Sequence, residues 1–235
     1  MKLNGLKYDP PILLCLETAG KSCSVCISSG ENIIIEKVEH QAFKHNELLA
    51  DFTNELLRTA ELSVDQIYAV VINKGPGSYT GLRVGFAFGK ALSYASGLPL
   101  IAVSGLEGMA IEAYTKRPFD LCLPMLDARR MEVYTAVYDQ NLLEIEGPAP
   151  VEIQESYFKR EIFKKKVVAL VGEAARKTAE IQLPSNFILI DCELKASNLI
   201  RPALKRLSDP FIDPAYIEPL YLKEVRITTS KKTLK

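Results

Sequence analysis

The segment NKGPGSYTGLRVGFAFGKALSYAS, residues Asn73 to Ser96, carries the pattern on which the predicted fold depends. An apolar run over 67–72 precedes it and is typical of a buried strand. The loop from Gly75 to Gly81 follows, and a long helical pattern then begins. Glycines in a strand-to-helix turn let the backbone approach a phosphate closely, so the loop is either a phosphate cradle or a purely structural turn.

The helical pattern over 82–96 carries two apolar faces. The broader face contains Val84, Phe88 and Leu92, and we expect it to pack on a sheet. The second face is a stripe that includes Gly85 and Gly89. Glycine inside a helix costs about 1 kcal/mol relative to alanine. The stripe therefore predicts that a second backbone approaches the helix closely on that side.

The overall composition is that of an ordinary globular protein. Of the 235 residues, 48% are hydrophobic and 25% are charged, and 29 Lys+Arg balance 29 Asp+Glu. Because no overall basic field exists, we expect the chain alone to bind nucleic acid weakly and in a salt-sensitive way. No segment is apolar enough to cross a bilayer, and the start lacks the apolar core of a signal peptide. A cytoplasmic location without membrane contact is expected.

Periodicity predicts the same order of elements in both halves of the chain. The order β-β-β-α-β-α-β-α runs to about residue 115, and three strands again lead the second half. We therefore predict an α/β fold of two equivalent lobes, each with a mixed sheet. The predicted limits are 1–107 for the N-terminal lobe, 108–225 for the C-terminal lobe and 226–235 for a flexible basic tail. The predicted strands are 12–17, 23–28, 32–39, 67–72, 100–103, 121–126, 132–138, 142–146, 167–171 and 187–190, and the predicted helices are 46–60, 82–96, 106–115, 152–160, 173–181 and 195–207.

Five residues are candidates for contact with a phosphate, either as hydroxyl donors near the first turn or as loop positions: Thr18, Ser22, Gly75, Gly77 and Thr80. The glycine spacing differs by one position from the dinucleotide fingerprint, and the Lys-Ser/Thr of a P-loop is missing. Local hydrogen bonding within the turn is the alternative role for these hydroxyl groups.

Metal-ligating patterns are weak in this sequence. His40 and His45 are the only histidines, and their spacing does not match a zinc-protease helix. Cys23 and Cys26 lie in a predicted strand and face opposite sides of the sheet, which favours a core role. The segment from Asp127 to Arg130 joins two strands, and its charges suit either a ligand or a solvated hairpin with a local ion pair.

Several separate motifs resemble the TsaB family, also called YeaZ. They are ILLCLETAGKSCSV (12–25), NKGPGSYTGLRVG (73–85), PLIAVSGLEGMA (99–110), DARRMEVYTAVY (127–138) and EPLYLKEV (218–225). The resemblance implies the duplicated two-lobe fold of the actin-like ATPase superfamily (ASKHA, RNase H-like). It also implies a non-catalytic activator of the related enzyme TsaD, which works with the ATPase TsaE. Their product is threonylcarbamoyladenosine at position 37 of tRNAs that read ANN codons.

The resemblance also bears on chemistry. The catalytic relative carries a His-x-x-x-His motif that binds a metal, and Gly105 and Met109 stand at the matching positions here. Glycine has no ligand atom, and a thioether is a poor ligand for a hard or borderline cation. The second lobe has no glycine-rich phosphate loop near Gly172. No catalytic residue, metal or cofactor is therefore expected, and the nucleotide cleft is interpreted as vestigial.

Two other functions stay open at this point. An active ATPase or small-molecule kinase of the actin-like superfamily would bind and turn over nucleotide by itself. A metallopeptidase is the third alternative, and the two histidines at the wrong spacing argue against it.

The resemblance implies that first-lobe helices dock on the equivalent helices of TsaD, with tRNA contacted indirectly through the complex and TsaE joining it. A homodimer would cover the same surface in the isolated chain. On this basis we predict that Gly85→Leu or Gly89→Leu weakens TsaD binding and leaves the monomer folded. The predicted interface residues, which combine the glycine stripe with one flank of the preceding helix, are Ala50, Thr53, Leu57, Leu82, Gly85, Phe86, Gly89 and Ser93.

Overall fold

A computed structural model describes residues 9–40 and 45–223 of the chain. The first half contains β1 (Ile12–Glu17), β2 (Cys23–Ser29), β3 (Asn32–Glu39), α1 (His45–Thr59), β4 (Ala69–Asn73), α2 (Tyr79–Ser96), β5 (Leu100–Val103) and α3 (Gly105–Lys116). The second half contains β6 (Leu121–Asp127), β7 (Glu132–Asp139), β8 (Glu144–Glu152), α4 (Glu155–Phe158), β9 (Val168–Val171), β10 (Phe187–Ile190) and α5 (Ile200–Leu204). Short 3₁₀ helices cover Val64–Gln66, Glu161–Phe163, Glu173–Glu180, Ala196–Leu199 and Pro214–Tyr216.

The two sheets repeat one topology. The first has the strand order β3-β2-β1-β4-β5, and the second has the equivalent order β8-β7-β6-β9-β10. In each sheet the leading strand pairs antiparallel with the next strand and parallel with the strand that follows the first helical segment. The predicted duplicated two-lobe α/β fold is therefore confirmed.

The central strand β1 is buried on both of its faces, which explains the apolar run over residues 12–16. Leu14 and Leu16 pack in the cluster that includes α1 and α2. Leu13 and Cys15 point to the opposite face, where they meet Leu199 and other residues of the C-terminal helical segment. Because both faces are covered, β1 is fixed in the middle of the first lobe.

The helical segment after each sheet packs on the other sheet. Leu106 and Met109 of α3 belong to the second lobe's core. Leu199 and Ala203, near the end of the second half, belong to the first lobe's core. The predicted limit between residues 107 and 108 thus falls within α3 and stays a prediction, and the predicted tail 226–235 lies outside the described residues.

The glycine stripe of α2 faces the chain's own sheet. A Cβ on Gly89 would lie 2.6 Å from Ile72 Cγ2, and one on Gly85 would lie 2.5 Å from Thr18 Oγ1. Leu82, Phe86 and Ser93 on the same stripe are also buried. The first sheet and the turn after β1 are therefore the close neighbours that the glycines require.

The predicted orientation of α2 is wrong for the glycine stripe, which was assigned to a partner and instead faces the chain's own sheet and turn. Val84, Phe88 and Leu92, which were expected on the sheet, pack against the first-lobe core but are only partly buried. Both faces are apolar, so periodicity alone did not identify the one that faces inward.

The expectation that Gly85→Leu and Gly89→Leu leave the monomer folded is contradicted, because the first leucine would be forced into Thr18 of the turn after β1 and the second into Ile72 of the sheet. Their effect on TsaD binding stays a prediction.

The flank of α1 that was predicted to meet a partner is largely buried. Thr53 is 3% exposed and Leu57 is 6% exposed, and Leu57 belongs to the first-lobe core. Ala50 is exposed. Of the predicted interface residues, Ala50 alone lies on the surface of the described structure.

The cysteine prediction is confirmed for the strand pair. Cys23 lies in the cluster beneath α1 and α2, whereas Cys26 lies in the cluster on the opposite face of the sheet. Both thiols are fully buried.

The structure describes the side chain of one of the two histidines. His40 Nδ1 lies 3.1 Å from a Glu193 carboxylate oxygen, and the side chain of His45 lies outside the described part of the chain.

Candidate functional site

The turn after β1 is closed from inside by the Glu17 carboxylate. Glu17 Oε1 accepts hydrogen bonds from Ala19 N at 2.5 Å and from Gly20 N at 3.2 Å. Glu17 is completely buried. These turn amides would be the donors of an anion site, because successive N–H groups in a turn form a concave anion-binding surface. Here an internal carboxylate occupies them.

Asn73 connects this turn to the glycine loop and to α3. Its Nδ2 donates to Glu17 Oε2 at 2.7 Å. Its Oδ1 accepts from Gly75 N at 2.8 Å and from Gly105 N at 3.0 Å. One buried amide therefore satisfies polar groups from β1, from the glycine loop and from the start of α3. Sequence reasoning missed this role, although Glu17 and Asn73 both lie at the ends of adjacent parallel strands.

The environment of Glu17 shifts its titration. Burial raises the pKa of Glu17 from 4.5 to about 7, and the hydrogen bonds from Asn73 and from the turn amides act in the opposite direction. The carboxyl group therefore changes its charge near neutral pH, at the junction between the turn and the glycine loop.

The predicted phosphate residues lie near this junction, and four of them are engaged elsewhere. Thr18 Oγ1 donates to Gly81 O at 2.7 Å, and Ser22 Oγ donates to Leu194 O at 3.4 Å. A Cβ on Gly77 would lie 2.6 Å from Ala19 O, and one on Gly75 would lie 3.0 Å from Leu220 O. Both glycines allow other backbone segments to pack against the loop. Thr80 is exposed in the first turn of α2.

Gly105 and Met109, which stand where the catalytic relative TsaD has the two histidines of its metal-binding motif, are used for packing. A Cβ on Gly105 would lie 2.5 Å from Asn73 Nδ2 and 2.9 Å from Leu194 Cδ1. Met109, one helical turn later, is buried in the second-lobe core. Its Cε fills the space that a side chain on Gly172 would need. Residues 9–40 and 45–223 bring together no group of three His, Cys, Asp or Glu side chains suited to a metal.

The hairpin between β6 and β7 is held by a lysine from another element. Lys177 Nζ lies 2.7 Å from Asp127 Oδ1 and also donates to the carbonyl oxygens of Arg130 and Glu132. Burial alone would raise the pKa of Asp127, but the hydrogen bonds and the charge of Lys177 outweigh it. The pKa of Asp127 is therefore lower than its usual value. The ion pair of this hairpin is therefore not the local one that was expected within residues 127–130, because the cation that pairs with Asp127 is Lys177 from a distant part of the chain.

No helix in the described ranges is long and apolar enough to cross a membrane.

Relatives of known name match a large part of the sequence. A family model described as TsaD, tRNA N6-adenosine threonylcarbamoyltransferase, matches residues 32–157. A protein of Escherichia coli named tRNA threonylcarbamoyladenosine biosynthesis protein TsaB is 32% identical over 68% of this chain and 68% of its own length. The chain belongs to the TsaB family, within the wider group that the TsaD model describes. The TsaB protein of Bacillus subtilis is also 32% identical, over 54% of each chain, so this match spans about half the length of that relative.

Solved structures support the same fold. YeaZ from Pseudomonas aeruginosa superposes with a TM-score of 0.78 and 22% sequence identity, over 90% of this chain and 100% of that chain. A second structure from that organism, described as similar to the peptidase YeaZ, gives the same score over 91% of this chain. At this identity the superpositions establish the two-lobe fold of the TsaB family and carry no statement about activity.

Proposed function

We propose that the chain is a non-catalytic subunit that activates TsaD during synthesis of threonylcarbamoyladenosine on tRNA, in the cytoplasm and together with TsaE. The observation that carries this proposal is the 32% identity to proteins named for threonylcarbamoyladenosine biosynthesis. The internal carboxylate of Glu17 supports the non-catalytic part, because it occupies the turn amides that a nucleotide phosphate would need.

A reconstitution tests the proposal. The chain is mixed with TsaD and TsaE of its own organism, tRNA and a threonylcarbamoyl donor, and modified adenosine is measured by mass spectrometry. We expect modification only when the chain is present. The chain alone is expected not to turn over ATP, and a rate on the order of 1 per second would instead support an active ATPase.

The outer side of α2 is the surface that we propose for TsaD. This side carries the exposed alanines Ala87, Ala91 and Ala95, together with Tyr94, which is 91% exposed. Small side chains allow two helices to approach closely. The family model of TsaD covers the region from β3 through α3, so TsaD contains elements equivalent to α1 and α2. The outer side of α2 and the equivalent side of the matching TsaD helix would then meet around an approximate two-fold axis. A homodimer through the same side is the alternative assembly of the isolated chain.

Ala91→Glu is expected to weaken TsaD binding at least tenfold. Ala91 lies directly opposite the glycine stripe at 100° per residue, so a glutamate there would place a charge in the centre of the contact. The affinity is measured by calorimetry with purified TsaD. Ala149→Glu serves as the matched control, because Ala149 is an exposed alanine on β8 in the other lobe.

The folded state of Ala91→Glu should be unchanged, since the side chain points to solvent in the monomer. Equal TsaD affinities for the wild type and Ala91→Glu would exclude this side of α2 as the interface. Sedimentation of the isolated chain shows in addition whether the substitution removes a homodimer.

A further inference from the structure

The C-terminal segment of the described chain connects the two lobes along one face. Leu220 N donates to Lys74 O at 2.7 Å, next to the glycine loop of the first lobe. Lys223 Nζ donates to Ala128 O at 2.9 Å and lies 2.5 Å from Glu132 Oε2, both in the second lobe. We call residues 218–223 the strap. The strap fixes the β6–β7 hairpin relative to the start of α2.

The tip of this hairpin presents two arginines in an unfavourable backbone conformation. Arg129 has a φ of 69° and Arg130 has a φ of 49°, and both side chains are exposed. Non-glycine residues are rare in this region of φ, and they persist where the surrounding structure holds them. Here Lys177 and Lys223 hold the hairpin from two sides through its carbonyl and carboxylate oxygens.

In the part of the chain that the structure describes, the guanidinium groups of Arg129 and Arg130 lack the ion pairs that neighbouring cationic side chains make. Lys21 pairs with Glu173, Arg176 with Asp191 and Lys177 with Asp127. Within residues 9–40 and 45–223, neither Arg129 nor Arg130 has a carboxylate partner. Lys177 and Lys223 have already taken the nearby acidic groups, Asp127 and Glu132. The hairpin tip is therefore a local positive charge on a chain whose net charge is zero.

Exposed aromatic rings continue this charged surface along the strap. The rings of Tyr79 and Tyr221 lie 4.8 Å apart, and they are 39% and 43% exposed. The guanidinium of Arg83 lies over the Tyr79 ring, 5.3 Å from its centre. Only Leu222 separates Tyr221 from Lys223, which contacts the hairpin. The strap–hairpin face thus combines three arginines with two accessible tyrosine rings.

We propose that the strap–hairpin face binds the phosphate backbone of RNA, with Arg129 and Arg130 as its principal contacts. This inference rests on the proposed function, in which tRNA is the substrate of the complex. Guanidinium groups bind phosphate oxygens in a bidentate manner, and tyrosine rings offer a stacking surface to unpaired bases. A rigid hairpin loses little conformational freedom when it binds. The chain then contributes a direct contact to the tRNA, in addition to its contact with TsaD.

The charge-reversal variant Arg129→Glu/Arg130→Glu tests the site in the complex of the chain with TsaD. We expect the Kd for tRNA to rise at least tenfold. The slope of log K against log salt concentration should fall in magnitude by about 1 to 2, as two phosphate contacts are lost. The control is Lys165→Glu/Lys166→Glu, which makes the same change of charge at two adjacent exposed residues that precede β9, at the opposite end of the second sheet. It should change the Kd less than twofold.

A second variant separates binding from folding. Arg129→Asn/Arg130→Asn removes both guanidinium groups and introduces asparagine, which tolerates positive φ better than arginine does. The thermal midpoint should therefore be equal or higher, while tRNA binding is weaker. Unchanged tRNA affinity in both hairpin variants overturns the proposal. So does a loss of TsaD binding with unchanged tRNA affinity, which would instead assign the face to an acidic protein surface. If the wild-type chain supports no modification at all, the proposed function fails, whereas the binding measurement still reports on the hairpin.

Discussion

Gly81→Ala is expected to destabilise the fold by about 3 kcal/mol. An added Cβ would lie 3.0 Å from the carbonyl carbon of Thr18 and still closer to the carbonyl oxygen. Both atoms belong to the backbone of the turn after β1, so they cannot rotate away as a side chain could. The shift would also disturb the 2.7 Å hydrogen bond from Thr18 Oγ1 to Gly81 O. Helix propensity alone predicts the opposite sign, since alanine is favoured over glycine by about 1 kcal/mol.

Urea unfolding, followed by circular dichroism, measures this change as a lower midpoint with an unchanged m-value. Gly147→Ala is the matched control, because its added Cβ would lie 3.4 Å from the flexible end of Glu144, and its free energy of unfolding should change little. A Gly81→Ala protein as stable as the wild type would show that the first lobe is not held by this contact between α2 and the turn.

Predictions from the sequence were most accurate where the pattern had one physical meaning. The β1 strand was predicted at its observed bounds, Ile12–Glu17, because a strand buried on both faces reads as a continuous apolar run. The order of elements in each half followed from the same kind of signal, and it was sufficient to predict the duplicated topology. These features depend on local periodicity, which a single sequence contains.

The orientation of α2 required information that periodicity does not contain. Val84 and Phe88 form an apolar side that looks suited to a sheet, whereas Gly85 and Gly89 form a side that looks suited to a closely packed partner. The structure resolves the ambiguity through Ile72 and Thr18, which lie so close to the helix that only glycine fits. Such contacts join residues distant in sequence.

The hydrogen-bonded pair of Glu17 and Asn73 could not be predicted from the sequence for a related reason. Glu17 and Asn73 are separated by 56 positions, and each looks like an ordinary strand-end residue when it is considered alone. The parallel pairing of β1 with β4 brings them together. The strap contacts of Leu220 and Lys223 also depend on the tertiary fold, although the motif that contains them was recognised in the sequence. Long-range pairing of polar groups was thus the main information that the sequence reading lacked.

The free energy of unfolding should fall as the pH rises from about 4.5 to about 7, and Glu17 should be the cause. The pKa of this carboxyl group is 4.5 when it is unperturbed and about 7 in the folded chain, where burial raises it. Between these values the folded state binds more protons than the unfolded state does, so raising the pH favours unfolding. The stabilisation is fully present below pH 4.5 and is lost as the pH passes through 7. Its size is about 3 kcal/mol for a shift of this width.

Glu17→Gln isolates this contribution, because glutamine does not titrate. The variant should lack the decrease between pH 4.5 and 7 when urea unfolding is repeated across this range. At neutral pH its amide would place a donor opposite Asn73 Nδ2, which now donates to Glu17 Oε2. We expect this unsatisfied pair of donors to cost about 2 kcal/mol.

The double variant Glu17→Gln/Asn73→Asp moves the carboxylate to the other side of the same contact and tests the geometry of the junction. The introduced aspartate would still accept hydrogen bonds from Gly75 N and Gly105 N, as Asn73 does, and its second oxygen would accept from the amide of the introduced glutamine. The double variant should therefore recover most of the stability that Glu17→Gln loses, whereas Asn73→Asp alone, with two adjacent buried carboxylates, should be the least stable of the three. If the effects of the two single substitutions simply add, Glu17 and Asn73 do not act as the coupled pair that closes the turn.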